Sequence, residues 1–145
     1  MTSPGIAKYR YTETNGAHVP YISVRLRNLE TNRTAGYEQS FIVDSGCSYS
    51  LAPRAIAGDL FEFQGKNPVP VGRAVDAKGN LIVGIPIRVG LVIKALDEVV
   101  EETVYFCEDV CHKLLGNSTF FEQFLVEFKN PPSIRRFTIK RFRSS

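Results

Sequence analysis

From Leu81 to Ile93 the chain places an apolar side chain at every odd position: Leu81, Val83, Ile85, Ile87, Val89, Leu91 and Ile93. A period of two puts all of them on one face of an extended strand. A strand this long cannot stand alone, so the remaining segments must supply a sheet to pair with it and a core to cover it. Pro86, on the opposite parity, has no amide hydrogen to give a ladder and marks an edge or a bulge. Shorter segments repeat the theme. In "YISVRLR", Ile22, Val24 and Leu26 alternate with Ser23, Arg25 and Arg27. This half-buried strand is expected to hairpin through "NLETNRTAG" to a second strand, "YEQSFIV". "DAKGN" reads as a hairpin tip and "VVEETVYF" as another strand. "LVEF" and "IRRFTI" read as closing strands split by Asn130-Pro131-Pro132. Helical signals are confined to one turn in "PRAIAGDL", between Pro53 and Gly58, and a short helix in "STFFEQF", opened by Ser118 or Thr119. With no βαβ rhythm, the expected class is an all-β barrel or sandwich.

The 145 residues suit one domain. A chain of this size buries roughly 68–70% of its unfolded surface, enough to fold without a metal or disulfide. Residues 1–19 read as a polar opening segment, loose at its start, 20–142 as the domain and 143–145 as a tail. The opening "MTSPGIAKYRYTETNG" lacks the apolar stretch of a signal peptide. The most apolar run, "LIVGIPIRVGLVI", is too short to span a bilayer and contains Pro86 and Arg88. Three cysteines, an odd count, favour reduced thiols and a cytoplasmic setting. The net charge of +3 is carried by residues 131–145, where Arg135, Arg136, Lys140, Arg141 and Arg143 meet no acid. Five charges make a thin phosphate footprint. The plainer reading is a strand with one solvated face, and neither a nucleic-acid nor a membrane partner is expected.

Several chemistries lack their residues. There is no P-loop and no Rossmann glycine fingerprint, and no G-x-S-x-G elbow surrounds Ser48 or Ser50. Cys107, Cys111 and His112 could offer zinc ligands, but the second pair of a structural site is missing, so the two cysteines read as free thiols near the end of a strand and no metal or cofactor is expected. Cys47 as a nucleophile would need a histidine beside it, and neither His18 nor His112 is marked for that role.

That leaves Asp44. The run Phe41-Ile42-Val43 stops at an acid, and Ser45-Gly46 follow at once. A carboxylate at the end of a buried strand is costly. Asp-Ser-Gly alone is common in turns, because Asp and Ser bond their own backbone and Gly takes positive φ. The context is more specific: three apolar strand residues, the acid, the small-residue loop "SGCSYS", and some seventy residues later Leu114-Leu115-Gly116 leading into a short aromatic helix.

Phe41-Ile42-Val43-Asp44-Ser45-Gly46 resembles the active-site loop of retropepsin-like aspartic proteases, and Leu114-Leu115-Gly116 resembles that family's second hallmark. The order of elements from residue 20 to about 140 is similar as well. The resemblance implies a closed-barrel-like retropepsin fold with one or two short helices. It also implies an aspartic endopeptidase acting on polypeptides, with Asp44 catalytic, Ser45 and Gly46 supporting the loop, and Gly116 packed beside it. The chain carries one Asp-Ser-Gly, so the resemblance implies a homodimer with Asp44 from each subunit across a two-fold axis. The hairpin that includes Ala74, Val75, Asp76, Ala77, Lys78 and Gly79 would be the flap. Cys47 stands where the family commonly has Ala, and the hairpin tip is not rich in glycine. The alternative is a catalytically inactive module of the same fold that binds peptides or dimerises.

Overall fold

The computed structural model describes residues 6–44, 46–96, 98–108, 110, 112–117, 120–131 and 133–141. Three short strands open the chain: β1 (Ile6–Arg10), β2 (Thr12–Thr14) and β3 (Ala17–Val19). Then come β4 (Tyr21–Arg27), β5 (Gln39–Val43) and β6 (Ser50–Pro53), followed by β7 (Val69–Val75), β8 (Leu81–Ile93) and β9 (Glu98–Cys107). The chain closes with β10 (Leu114–Leu115), the helix α1 (Phe120–Gln123), β11 (Phe124–Lys129) and β12 (Arg136–Arg141). A 3-10 turn at Arg54–Ala57 follows Pro53, as expected.

Six strands close into a barrel in the order β4-β5-β10-β6-β9-β8, with β8 returning to β4 through Arg25–Val92, Leu26–Leu91 and Arg27–Gly90. Closure pairs β4 with both β5 and β8, so neither end of the barrel's strand order is left as a wholly open edge. The alternating apolar residues of β4, β8 and β9 turn inward: Ile22, Val24, Leu26, Val89, Leu91, Ile93, Val100 and Val104 are all buried. The long strand obeys its period, but its burial begins only at Ile85. Leu81 and Val83 are 56% and 46% exposed because that end of β8 projects beyond the barrel as a hairpin with β7. Pro86 is paired with Tyr105 across β9. On its other side β7 pairs only as far as Gly84 and β4 begins at Gly90, so Pro86 sits where β8 has one open edge, as a proline in a strand tends to. The irregularity lies instead in β7, between Pro70 and Val75.

A second sheet, β1-β12-β11, packs on the same core through Ala7, Phe124, Phe137 and Ile139. In β12, Phe137 and Ile139 are buried while Arg136 and Lys140 are exposed, so the basic segment is a strand with one solvated face. The opening is more ordered than its composition suggests. Ile6–Arg10 pairs antiparallel with β12, and the Tyr9 ring stacks on Phe137 at 5.1 Å. β2 and β3 form a hairpin whose two-residue loop, Asn15-Gly16, has φ of 49° and 80°, as a type I′ turn requires.

Candidate functional site

Asp44 follows the last residue of β5. Val43 is buried, and its amide hydrogen bonds the Pro20 carbonyl at 2.9 Å. Asp44 itself is half-buried. Its amide donates to the carbonyl of Leu115 at 3.0 Å, and the Gly46 amide donates to its carboxylate Oδ1 at 2.9 Å. The Cys47 amide returns to the Asp44 carbonyl at 3.2 Å, closing a tight turn. The loop therefore holds its acid by backbone bonds on both sides. A Cβ on Gly46 would stand 3.3 Å from Oδ1, crowding the same oxygen. Ser45 lies outside the described residues.

β10 is the clamp. It lies between β5 and β6, parallel to the first and antiparallel to the second, with Leu114 opposite both Ile42 and Leu51. Leu115 is fully buried, and its carbonyl is the acceptor for Asp44. Gly116 then passes so close to Tyr49 that an added Cβ would lie 2.4 Å from the Tyr49 carbonyl oxygen and 2.5 Å from its carbon. These are backbone atoms at the far arm of the loop, so only glycine fits. The next amide, Asn117, donates to the Cys47 carbonyl at 2.7 Å. The structure thus brings Asp44, Gly46 and Gly116 together, although the sequence separates them by some seventy residues.

The residues 74–79 form the exposed end of the β7–β8 hairpin. Asp76 shapes its tip: Oδ1 accepts the amides of Lys78 and Asn80 at 2.8 and 2.9 Å, and Gly79 turns with φ of 83°. Asp76 is therefore engaged as a turn former. At the hairpin's base, Gly72 (φ 55°) lies under the Tyr49 ring, with an added Cβ 2.3 Å from Tyr49 Cε2. The Tyr49 ring in turn meets Tyr105 edge-on at 5.5 Å. The hairpin is thereby seated on a side chain of the Asp44 loop. A cleft of about 180 Å³ opens beside the hairpin, lined by Arg54, Leu81, Val83, Cys107 and Glu108 among others, and none of its lining residues belongs to that loop.

Two polar residues of the site's support escaped the sequence reading. Ser50 and Glu102 are 1% and 2% exposed, and the Ser50 hydroxyl donates to Glu102 Oε2 at 3.0 Å while accepting the Gly116 amide at 3.0 Å. A signal was present, because Glu102 falls in phase with Val100 and Val104 on the inward parity of its strand.

Of the thiols, Cys47 is half-buried with Sγ 3.0 Å from the Tyr49 carbonyl. Cys107 is buried, which pushes its thiol up to about 11. Cys111 lies outside the described residues. Among the described residues, no group of three or more His, Cys, Asp or Glu is placed to hold a metal ion, and no helix is long and apolar enough to cross a membrane.

A closed barrel with a short strand threaded between two arms of an Asp-containing loop, and a hairpin seated over that loop, is the retropepsin-like fold. The chain matches the crystal structure of a retropepsin-like aspartic protease from Rickettsia conorii with a TM-score of 0.61, over 96% of this chain and 94% of that one, at 18% sequence identity. The likeness is one of fold. No protein-family model matches the chain, and no curated protein matches it by sequence.

Proposed function

We propose that the chain is an aspartic endopeptidase that works as a homodimer, with Asp44 of each subunit meeting at a two-fold axis. One observation carries this reading. Asp44 is held from behind by Leu115 and from the front by the Gly46 amide, in a loop locked by Gly116, within a fold shared with a retropepsin-like protease. Two carboxylates about 3 Å apart cannot both ionise and share one proton. One then acts as base toward an attacking water and the other as acid toward the peptide carbonyl oxygen. No covalent intermediate is needed, which suits a loop with no paired histidine. The Gly46 amide, already bonded to Oδ1, keeps that oxygen in place while the proton moves.

The β7–β8 hairpin is the proposed flap, closing over bound polypeptide. Val75, Leu81 and Val83, at 54%, 56% and 46% exposure, give it an apolar surface suited to apolar side chains of an extended substrate. The test is incubation with an unfolded protein across a pH series from acid to neutral, with and without an active-site-directed aspartic inhibitor. Cleavage by the wild type, blocked by the inhibitor and abolished in a folded Asp44→Asn variant, is the expected result. Equal turnover by Asp44→Asn sinks the reading. A folded wild type with no hydrolysis at any pH indicates a non-catalytic module of this fold.

A further inference from the structure

Glu102 is a carboxylate inside a barrel. Its neighbours on the inward parity of β9, Val100, Val104 and Phe106, are 0%, 0% and 1% exposed. A buried acid is expensive, and an apolar residue of similar volume at such a place is often neutral or stabilising. Its presence therefore calls for a task that an apolar side chain cannot perform.

The hydrogen bonds define one. Glu102 Oε1 accepts the Thr103 amide at 3.1 Å, and Oε2 accepts the Ser50 hydroxyl at 3.0 Å. With its proton committed to Glu102, the Ser50 oxygen turns its lone pairs to the Gly116 amide, 3.0 Å away. Gly116 is bonded through its own peptide to Leu115, whose carbonyl receives the Asp44 amide at 3.0 Å. Ser50 is 1% exposed, so it is closed to substrate and is no nucleophile. Gly116 has almost no steric freedom, because the Tyr49 backbone blocks it on one side. The hydroxyl fixes its height on the other.

We propose that Glu102 is a positioning residue for Asp44, acting through Ser50 and Gly116. The carboxylate orients the Ser50 hydroxyl, the hydroxyl sets the Gly116 peptide, and the β10 carbonyl carries that setting to the amide of the catalytic acid. This rests on the proposed protease function only for its kinetic consequence; the mechanical coupling stands apart from it.

The experiment uses Glu102→Leu, Glu102→Gln, Ser50→Ala and the double variant Ser50→Ala/Glu102→Leu in the full chain. Amide hydrogen exchange is read first, because it needs no activity. Exchange at Gly116 and Asp44 is expected to speed up about tenfold or more in Glu102→Leu and Ser50→Ala, with Phe137 and Ile139 of β12 unchanged. Glu102→Gln, which still offers an oxygen to Ser50, is expected to stay near wild type. Turnover is read second. Each disrupting variant should lose about tenfold in kcat with KM nearly unchanged, the double variant should lose no more than either single one, and Glu102→Gln should be rescued. Should Glu102→Leu fail to fold, Ser50→Ala and Glu102→Gln carry the comparison. Unchanged exchange at Gly116 and Asp44, loss of protection spread equally into β12, or an additive double variant overturns the proposal. A wild type without hydrolysis ends the protease reading and leaves the exchange result to decide this one.

Discussion

Two glycines flank the candidate acid, and their surroundings predict different penalties. At Gly116 an added Cβ meets the carbonyl oxygen and carbon of Tyr49 at 2.4 and 2.5 Å. Tyr49 leads directly into β6, so its backbone cannot easily move aside, and Gly116→Ala should cost about 3 kcal/mol or more, at or above the upper end for overpacking. At Gly46 the added group meets only the Asp44 carboxylate, at 3.3 Å. Gly46→Ala should cost about 1 kcal/mol or less in stability, since only a side-chain oxygen must shift by tenths of an ångström. Urea unfolding of the two variants checks the order, and a reversed order would falsify the account of the clamp. Cys107 adds a pH dependence. Burial raises its thiol from 9.0 to about 11, so the native state keeps a proton that the unfolded chain gives up first. The stabilisation is complete below pH 9 and is lost as pH climbs to about 11. Wild-type stability should fall across that window more steeply than that of Cys107→Ala. Peptide mapping after alkylation of the native protein at pH 8 should find Cys47 modified and Cys107 protected.

Within the β7–β8 hairpin, left-handed backbone and close packing can be separated. Gly79 at the tip has φ of 83° and nothing within 4 Å of an added Cβ, whereas Gly72 combines φ of 55° with the Tyr49 ring at 2.3 Å. Gly79→Ala should cost about 1–2 kcal/mol from the left-handed conformation alone. Gly72→Ala should cost clearly more, and Tyr49→Ala should remove the excess, which a thermal-unfolding double-mutant cycle would reveal as coupling. The sheet β1-β12-β11 gives a second test. Deleting residues 1–10 removes Ala7 and the Tyr9–Phe137 stack and bares one edge of β12. The shortened chain should be less stable by several kcal/mol and more prone to associate, as read by unfolding and light scattering. That strand was hard to read in the sequence because its inward residues are Ala7 and Tyr9, too small and too amphipathic to make a period-two stripe. The hairpin after it was missed too, because the polar composition of the opening reads only as a loose segment, although Asn15-Gly16 is a strong local turn signal. By contrast β4 and β8 announced themselves through alternation. The pattern in β8 could not show where the barrel ends and the projecting hairpin begins, because Leu81 and Val83 continue the same parity into solvent.

At the scale of the whole molecule, Asp44 and Gly116 were legible as motifs, while their contact depends on β10 threading between β5 and β6, a long-range pairing that no local propensity encodes. Glu102 stayed hidden for a related reason: its role lies in a partner 52 residues away. The barrel therefore makes a rigid seat for a single acid, and the proposed chemistry needs a second one. If the second comes from another copy of the chain, activity is a property of pairs. Mixing wild type with an equal amount of folded Asp44→Asn, under conditions where subunits exchange, should leave only about a quarter of the dimers with two acids, and so about half the turnover of the wild type present. A large excess of Asp44→Asn should drive the specific activity of the remaining wild type toward zero. Dilution of the wild type alone should lower its activity per chain, and a substrate-like inhibitor bound across the axis should restore the dimer in sedimentation. A chain that acts by itself keeps its full specific activity in every mixture and at every dilution, and that result would end the paired mechanism.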